Sequence, residues 1–207
     1  MARRADHTRE ELRDLALSAA KSLACQDGLR GVTIRGIAAR IGYSVGTLYN
    51  VFEDQSDLIV CLNGSILEDL GAHLQAVPVE EPTMAYLRNL AAAYLTYTQE
   101  NAKLWSLLFE HRLPEGRDLP PWYYEKLNTL LRIVENALLT LLPDAHQAQV
   151  NEMARILWAS LHGIATLSVT GKLAIVSANT AQDMANSLLN DYLTGAIANS
   201  RPPENAS

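Results

Sequence analysis

Acid–base chemistry can be drawn on this chain in two places, Glu110 beside His111 and His162 with Glu152. Neither pairing is accompanied by a nucleophile, a metal-ligand set or a glycine-rich loop, so the chain does not read as an enzyme. Hydrogen-bonding chemistry is more concentrated. Thr33, Arg35, Ser44, Val45, Thr47, Tyr49, Asn50 and Gln55 put short polar, planar and methyl-bearing side chains into one stretch. Thr33 at a helix start and Tyr49 at a helix rim suit phosphate oxygens, which position a protein on a duplex without reading it. The Arg35 guanidinium suits a phosphate or a base edge. Ser44, Val45 and Thr47 suit base edges, and the methyls of the last two can meet thymine. Asn50 and Gln55 complete this candidate DNA-binding set.

The elements that would hold these groups are legible in the string TIRGIAARIGYSVGTLYNVF, residues 33–52. Thr33 is a good N-cap, and Ile34, Ile37, Ala38 and Ile41 follow at helical spacing on one face. Gly42 stands one residue past the last apolar position, where helices commonly end in a left-handed turn. Ser44 can cap a second short helix whose Leu48 and Phe52, four residues apart, point into a core. A helix of under three turns cannot stand alone in water, so it must be held by packing. Two such helices read as a helix-turn-helix whose second helix enters a groove.

The same string resembles the DNA-binding signature of the TetR family of bacterial transcription regulators. Thr33, Ile37, Ala38, Gly42, Ser44, Gly46 to Tyr49 and Phe52, followed by Asp57 and Leu58, carry the likeness. One departure matters: the family usually places a lysine where this chain has Gln55, which donates a hydrogen bond but brings no charge to a phosphate. The resemblance implies a homodimer, formed through the last two helices, whose two heads lie about 34 to 36 Å apart on a palindromic double-stranded operator. Repression, relieved by a small ligand, is the family default.

Charge is consistent with that placement. Of 207 residues, 48% are hydrophobic, enough for a sizeable core, and the formal net charge is −6. Residues 1–50 nevertheless hold eight Lys/Arg against five Asp/Glu, so the basic end is the end with the motif. Arg3 and Arg4 read equally as a DNA-touching arm or as a disordered tail. Two cysteines, Cys25 and Cys61, are too few for a disulfide scaffold, and Cys25 reads as a buried helix residue rather than a redox switch. No cofactor or metal is expected. With neither a signal peptide nor a long apolar run, the chain is expected to be cytoplasmic and not to meet a membrane.

Helical punctuation recurs along the rest. Thr8 with Glu11, Asp54 with Asp57, Asp144 with Gln147 and Thr180 with Asp183 all read as capping pairs. Pro82 and Thr83 open a further helix, and no segment alternates with period two. The expected fold is all-α with about nine helices. It comprises a three-helix DNA-binding head over 1–53, a helical ligand-binding and dimerisation domain over 54–200, and a polar tail over 201–207. Leu157, Leu161, Ile164 and Leu167, with Met184, Leu188 and Tyr192, are the expected dimer stripe, with burial inside the monomer as the alternative. Tyr94, Trp105, Phe109, Tyr124, Trp158 and His162 are the expected lining of a pocket for a small apolar or aromatic ligand. The same residue types equally make a core. Trp158, His162 and Gly163 in WASLHG resemble the motif that names the Trp-His-Gly type of TetR C-terminal domain. A regulator gated by a protein partner, or acting without a ligand, is the alternative.

Overall fold

The computed structural model describes residues 7–81 and 83–200. Arg3 and Arg4, Pro82 as a helix opener and the tail 201–207 lie outside the described residues. Within them the chain is helical: α1 (Arg9–Asp27), α2 (Ile34–Ile41), α3 (Val45–Tyr49), α4 (Gln55–Gln75), α5 (Thr83–Glu100), α6 (Ala102–Glu110), α7 (Pro121–Leu141), α8 (Gln147–Val169), α9 (Leu173–Val176) and α10 (Ala181–Ser200). A 3₁₀ turn, Gly28–Gly31, joins α1 to α2.

Local chemistry sets most of these boundaries. The Thr8–Glu11 box closes reciprocally, with Glu11 N 3.2 Å from Thr8 Oγ1 and Thr8 N 2.6 Å from Glu11 Oε2. Asp54 and Thr180 make equivalent starts: Asp57 N donates to Asp54 Oδ1 at 2.7 Å, and Asp183 N to Thr180 Oγ1 at 3.1 Å. Asp144 does not act this way, because α8 begins later with His146 as a cap that makes no side-chain bond. The four-residue α9 has no periodic signal long enough to be foreseen.

Contacts divide the chain into two compact units, and the division falls inside α4 and α7. The first unit combines residues up to 69 with 101–124. Its core joins Ala16, Ala20 and Ala24 of α1 to Ile34, Ile37, Leu48, Phe52, Leu58, Leu62 and Leu107. Fully burying one such leucine contributes about 1.5–3 kcal/mol, which is what a five-residue helix such as α3 depends on. Cys25 turns out exposed, one position beyond buried Ala24, while Cys61 is buried. The second unit combines 70–100 with residues from 125 on, and packs α5, α8 and α10 around Leu87, Leu90, Tyr94, Met153, Leu157, Ala185, Leu189 and Leu193. Among the described residues, no helix is long and apolar enough to cross a membrane.

Candidate functional site

The first unit presents the polar stretch on a frame of short-range bonds. Thr33 caps α2 by accepting from Gly36 N at 3.0 Å. A Cβ at Gly36 would sit 2.9 Å from Thr33 Oγ1, so the glycine is what leaves room for the cap. Gly42 then ends α2 at φ 75°, and Tyr43 N closes back on Ala38 O at 3.0 Å. Ser44 caps α3: its Oγ accepts from Thr47 N at 3.1 Å and lies 2.8 Å from Thr47 Oγ1. The two hydroxyls expected at base edges therefore form one hydrogen-bonded unit rather than two independent probes. Leu48 and Phe52 are buried, and Val45 is half-buried against the same core. Arg35, Ser44, Asn50 and Tyr49, the last 53% exposed, remain outward.

Gln55, expected at the duplex, opens α4. It is exposed, but Nε2 donates to Val32 O at 3.2 Å, so the amide ties the start of α4 to the turn before α2. One neighbour went unread in the sequence: His7 Nδ1 lies 2.6 Å from Tyr43 Oη, linking the chain before α1 to the turn. The two residues are 36 positions apart, so no local pattern announces the pair.

α6 belongs to this unit and is fastened to it. Lys103 Nζ donates to Cys25 O at 2.8 Å and Gln26 O at 2.9 Å, and Asn63 Nδ2 donates to Leu107 O at 3.4 Å. Beyond α6, Ser56 Oγ meets His111 Nε2 at 2.9 Å, while Arg117 bridges Asp54 at 2.5 Å and Glu53 at 3.1 Å. The Asp57 backbone N–H, then Arg117, hold Asp54 below the usual carboxylate range. Desolvation pushes His111 below the ordinary imidazole value.

That placement removes three residues from the expected ligand pocket. Trp105 is buried in the first unit with its ring 5.2 Å from Phe109, Phe109 is 48% exposed, and Tyr124 is 49% exposed. Aromatic character predicted burial against something; it does not encode which helices do the covering.

The second unit contains an apolar cavity of about 60 Å³, walled by α4, α5, α7, α8 and α10. Tyr94 and Trp158, both expected there, line it; His162 stands at its edge, with Nδ1 3.0 Å from Tyr94 Oη and its ring stacked on Trp158 at 5.2 Å and 28°. Desolvation lowers the His162 pKa, so the imidazole at pH 7 is neutral. The rest of the lining is aliphatic and includes Leu157, Leu161 and Leu188 from the expected dimer stripe. Leu157 and Ile164 are buried within their own chain, and Leu161, Leu167, Met184, Leu188 and Tyr192 are half-buried. The outward face of α8 carries Ile156, Ala159 and Gly163, and that of α10 carries Ser187, Asp191 and Gly195. A periodic leucine stripe reports a buried face, and here much of what buries it is the chain itself.

A helix-turn-helix unit joined in one chain to a helical unit with an apolar cavity defines the class of DNA-binding helical regulators. Residues 16–60 match the family profile described as bacterial regulatory proteins, tetR family, and residues 87–192 match the tetracyclin repressor-like C-terminal domain. The chain belongs to the TetR family of DNA-binding transcription regulators. The C-terminal match takes in Trp158, His162 and Gly163. No curated protein matches the chain. Among solved structures, a protein of unknown function from Rhodococcus sp. RHA1 is 22% identical, with 94% of this chain and 98% of that one covered and a TM-score of 0.73. A tetR-family transcriptional regulator from Streptomyces coelicolor is 19% identical, covering 92% of this chain and 82% of its own, at TM-score 0.67. Another putative transcriptional regulator from Rhodococcus sp. RHA1 is 21% identical, covering 88% and 95%, at 0.66. These likenesses concern the fold.

Proposed function

We propose that the chain is a homodimeric repressor that leaves a palindromic operator when a small apolar ligand enters the cavity of the second unit. The carrying observation is that one chain holds both an outward hydrogen-bonding face on α2 and α3 and a largely aliphatic cavity with Tyr94, Trp158 and His162 at one edge. On this reading, the Ser44–Thr47 pair and Val45 meet base edges. Thr33, Tyr49 and Asn50 meet the backbone, and Arg35 meets either. Short side chains deliver at most about 1–3 kcal/mol of discrimination at each base, so DNA shape supplies part of the specificity.

Dimerisation doubles the contact set and fixes the spacing of half-sites. It uses the outward faces of α8 and α10, through residues such as Ile156 and Ala159, with the half-buried Leu167 and Met184 at their margins. Ligand and operator are then linked: a ligand that prefers the wrongly spaced dimer weakens operator binding by the same factor, typically about 1–3 kcal/mol of coupling. Helix α4 starts beside the helix-turn-helix and ends with Leu70 and Leu74 in the cavity wall, which makes it the relay in this proposal.

Selection of bound sequences from a random pool tests the reading. Enrichment of a palindrome is expected, and failure to enrich one would count against the dimeric DNA-reading assignment.

A further inference from the structure

His7 precedes the capped start of α1, yet it is fastened to the turn between α2 and α3. Its Nδ1 lies 2.6 Å from Tyr43 Oη, with the ring centroids 6.0 Å apart at 63°. Tyr43 is itself fixed by its N–H on Ala38 O, and the next residue is Ser44, the cap of α3. His7 is exposed, and among the described residues Tyr43 is its only hydrogen-bond partner. The nearby Glu11 carboxylate is held below its usual range by the Thr8 backbone and side chain before His7 adds to the effect, and its Oε2 accepts from Thr8 N at 2.6 Å. The tether survives titration. With Nδ1 accepting from the Tyr43 hydroxyl, the neutral ring carries its proton on Nε2; the cation donates from Nδ1 to the same oxygen and keeps the Nε2 donor. In both states one N–H is left for a partner outside the chain, and in one of them it is charged.

We propose that His7 is a phosphate contact of the DNA-reading unit, held in place by Tyr43 and charged by proton uptake when the duplex arrives. This rests on the reading that brings Ser44 to a base edge. The major groove is about 12 Å wide, so a side chain anchored one residue from Ser44 lies close to the phosphates that border it. A phosphate beside the ring favours the imidazolium, and the resulting bond from Nε2–H is charge-assisted. His7 thus returns to this face a charge that Gln55, tied to Val32 O, does not bring.

The selected operator and a random-sequence duplex serve as probes, titrated with the full-length protein at about pH 6 and about pH 8 across roughly 50 to 200 mM salt. Wild-type log affinity against log salt is expected to be steeper at the lower pH by about 0.9 per head, roughly a threefold difference in affinity over that range. His7→Gln should lose this increment, His7→Lys should carry it at both pH values, and Tyr43→Phe, which releases the ring, should lose most of it. The other four histidines are common to all these proteins, so the difference from wild type isolates position 7. A phosphate contact carries no sequence information, so the increment is expected on both duplexes. A wild-type slope that ignores pH, a His7→Gln protein that keeps the increment, or an increment confined to the operator would each overturn the proposal. If His7→Gln instead lowers the thermal midpoint and weakens binding equally at both pH values, His7 is a brace for the turn and the proposal falls. The underlying reading fails in a different way, by a random pool that enriches no palindrome.

Discussion

In the DNA-reading unit, the polar groups that shape the candidate face bond to partners three residues away: Thr33 to Gly36, Ser44 to Thr47. In the cavity-bearing unit, the corresponding polar contact joins Tyr94 to His162 across 68 residues, and the wall around it comes from five helices. The first surface is assembled by local backbone chemistry and only then anchored by Leu48 and Phe52. The second does not exist until distant helices meet. A face of the first kind takes its shape from bonds within one turn of helix; a site of the second kind takes its shape from the packing of distant helices.

The comparison breaks most visibly at the anchors. Phe52→Ala, at a site only 1% exposed, is expected to cost about 3–5 kcal/mol in denaturant unfolding and to abolish operator binding. If unfolding is barely affected, the face is not anchored by this core. Ser44→Ala comes next. Loss of the cap should cost about 1 kcal/mol in stability, with a larger proportional loss of operator affinity as α3 frays, compared by parallel thermal and binding measurements. Acidification affects both units in the same direction. Burial lowers the pKa of His111 and of His162 from 6.5, so each favours the folded state above that value and stops doing so as pH falls through its folded pKa. Thermal midpoints recorded between pH 7 and 5 should decline, and His111→Gln and His162→Gln should each remove part of the decline.

Gln55→Lys sharpens the contrast on the electrostatic side. If position 55 faces the duplex, log affinity plotted against log salt should steepen by about 0.9. An unchanged slope would mean that the side chain only braces Val32. The smallest effect is expected from Gly46→Ala. A Cβ there meets nothing nearer than Ser44 Oγ at 3.8 Å, so thermal stability should hold or rise slightly through helix propensity. Any clear loss of stability would show that α3 is strained.

The capping pairs at Thr8, Asp54 and Thr180, the left-handed turn at Gly42 and the inward Leu48 and Phe52 were all legible because each depends on neighbours within four residues. Asp144 misled because a cap needs the chain to turn at that residue, and the turn comes at His146 instead. Trp105 and Phe109 misled for another reason. Their helix carries Leu104, Leu107 and Leu108 into the core of the first unit, and nothing in α6 alone states which unit will cover it. Leu157, Leu161 and Leu188 show the same limit in reverse, as an apparent dimer stripe that lines a cavity within the chain.

By itself the sequence determined an all-helical chain, the starts of several helices and a helix-turn-helix near its basic end. Caps, glycine turns and helical periodicity act over one or two turns, and the residues that specify them are contiguous. Tertiary structure alone decided that Gln55 is tied to Val32, that α6 joins the first unit and that Tyr94 meets His162 at the edge of an aliphatic cavity. Those outcomes depend on which apolar faces meet. The hydrophobic effect rewards any burial of such faces, without direction, and only the complete packing selects among them.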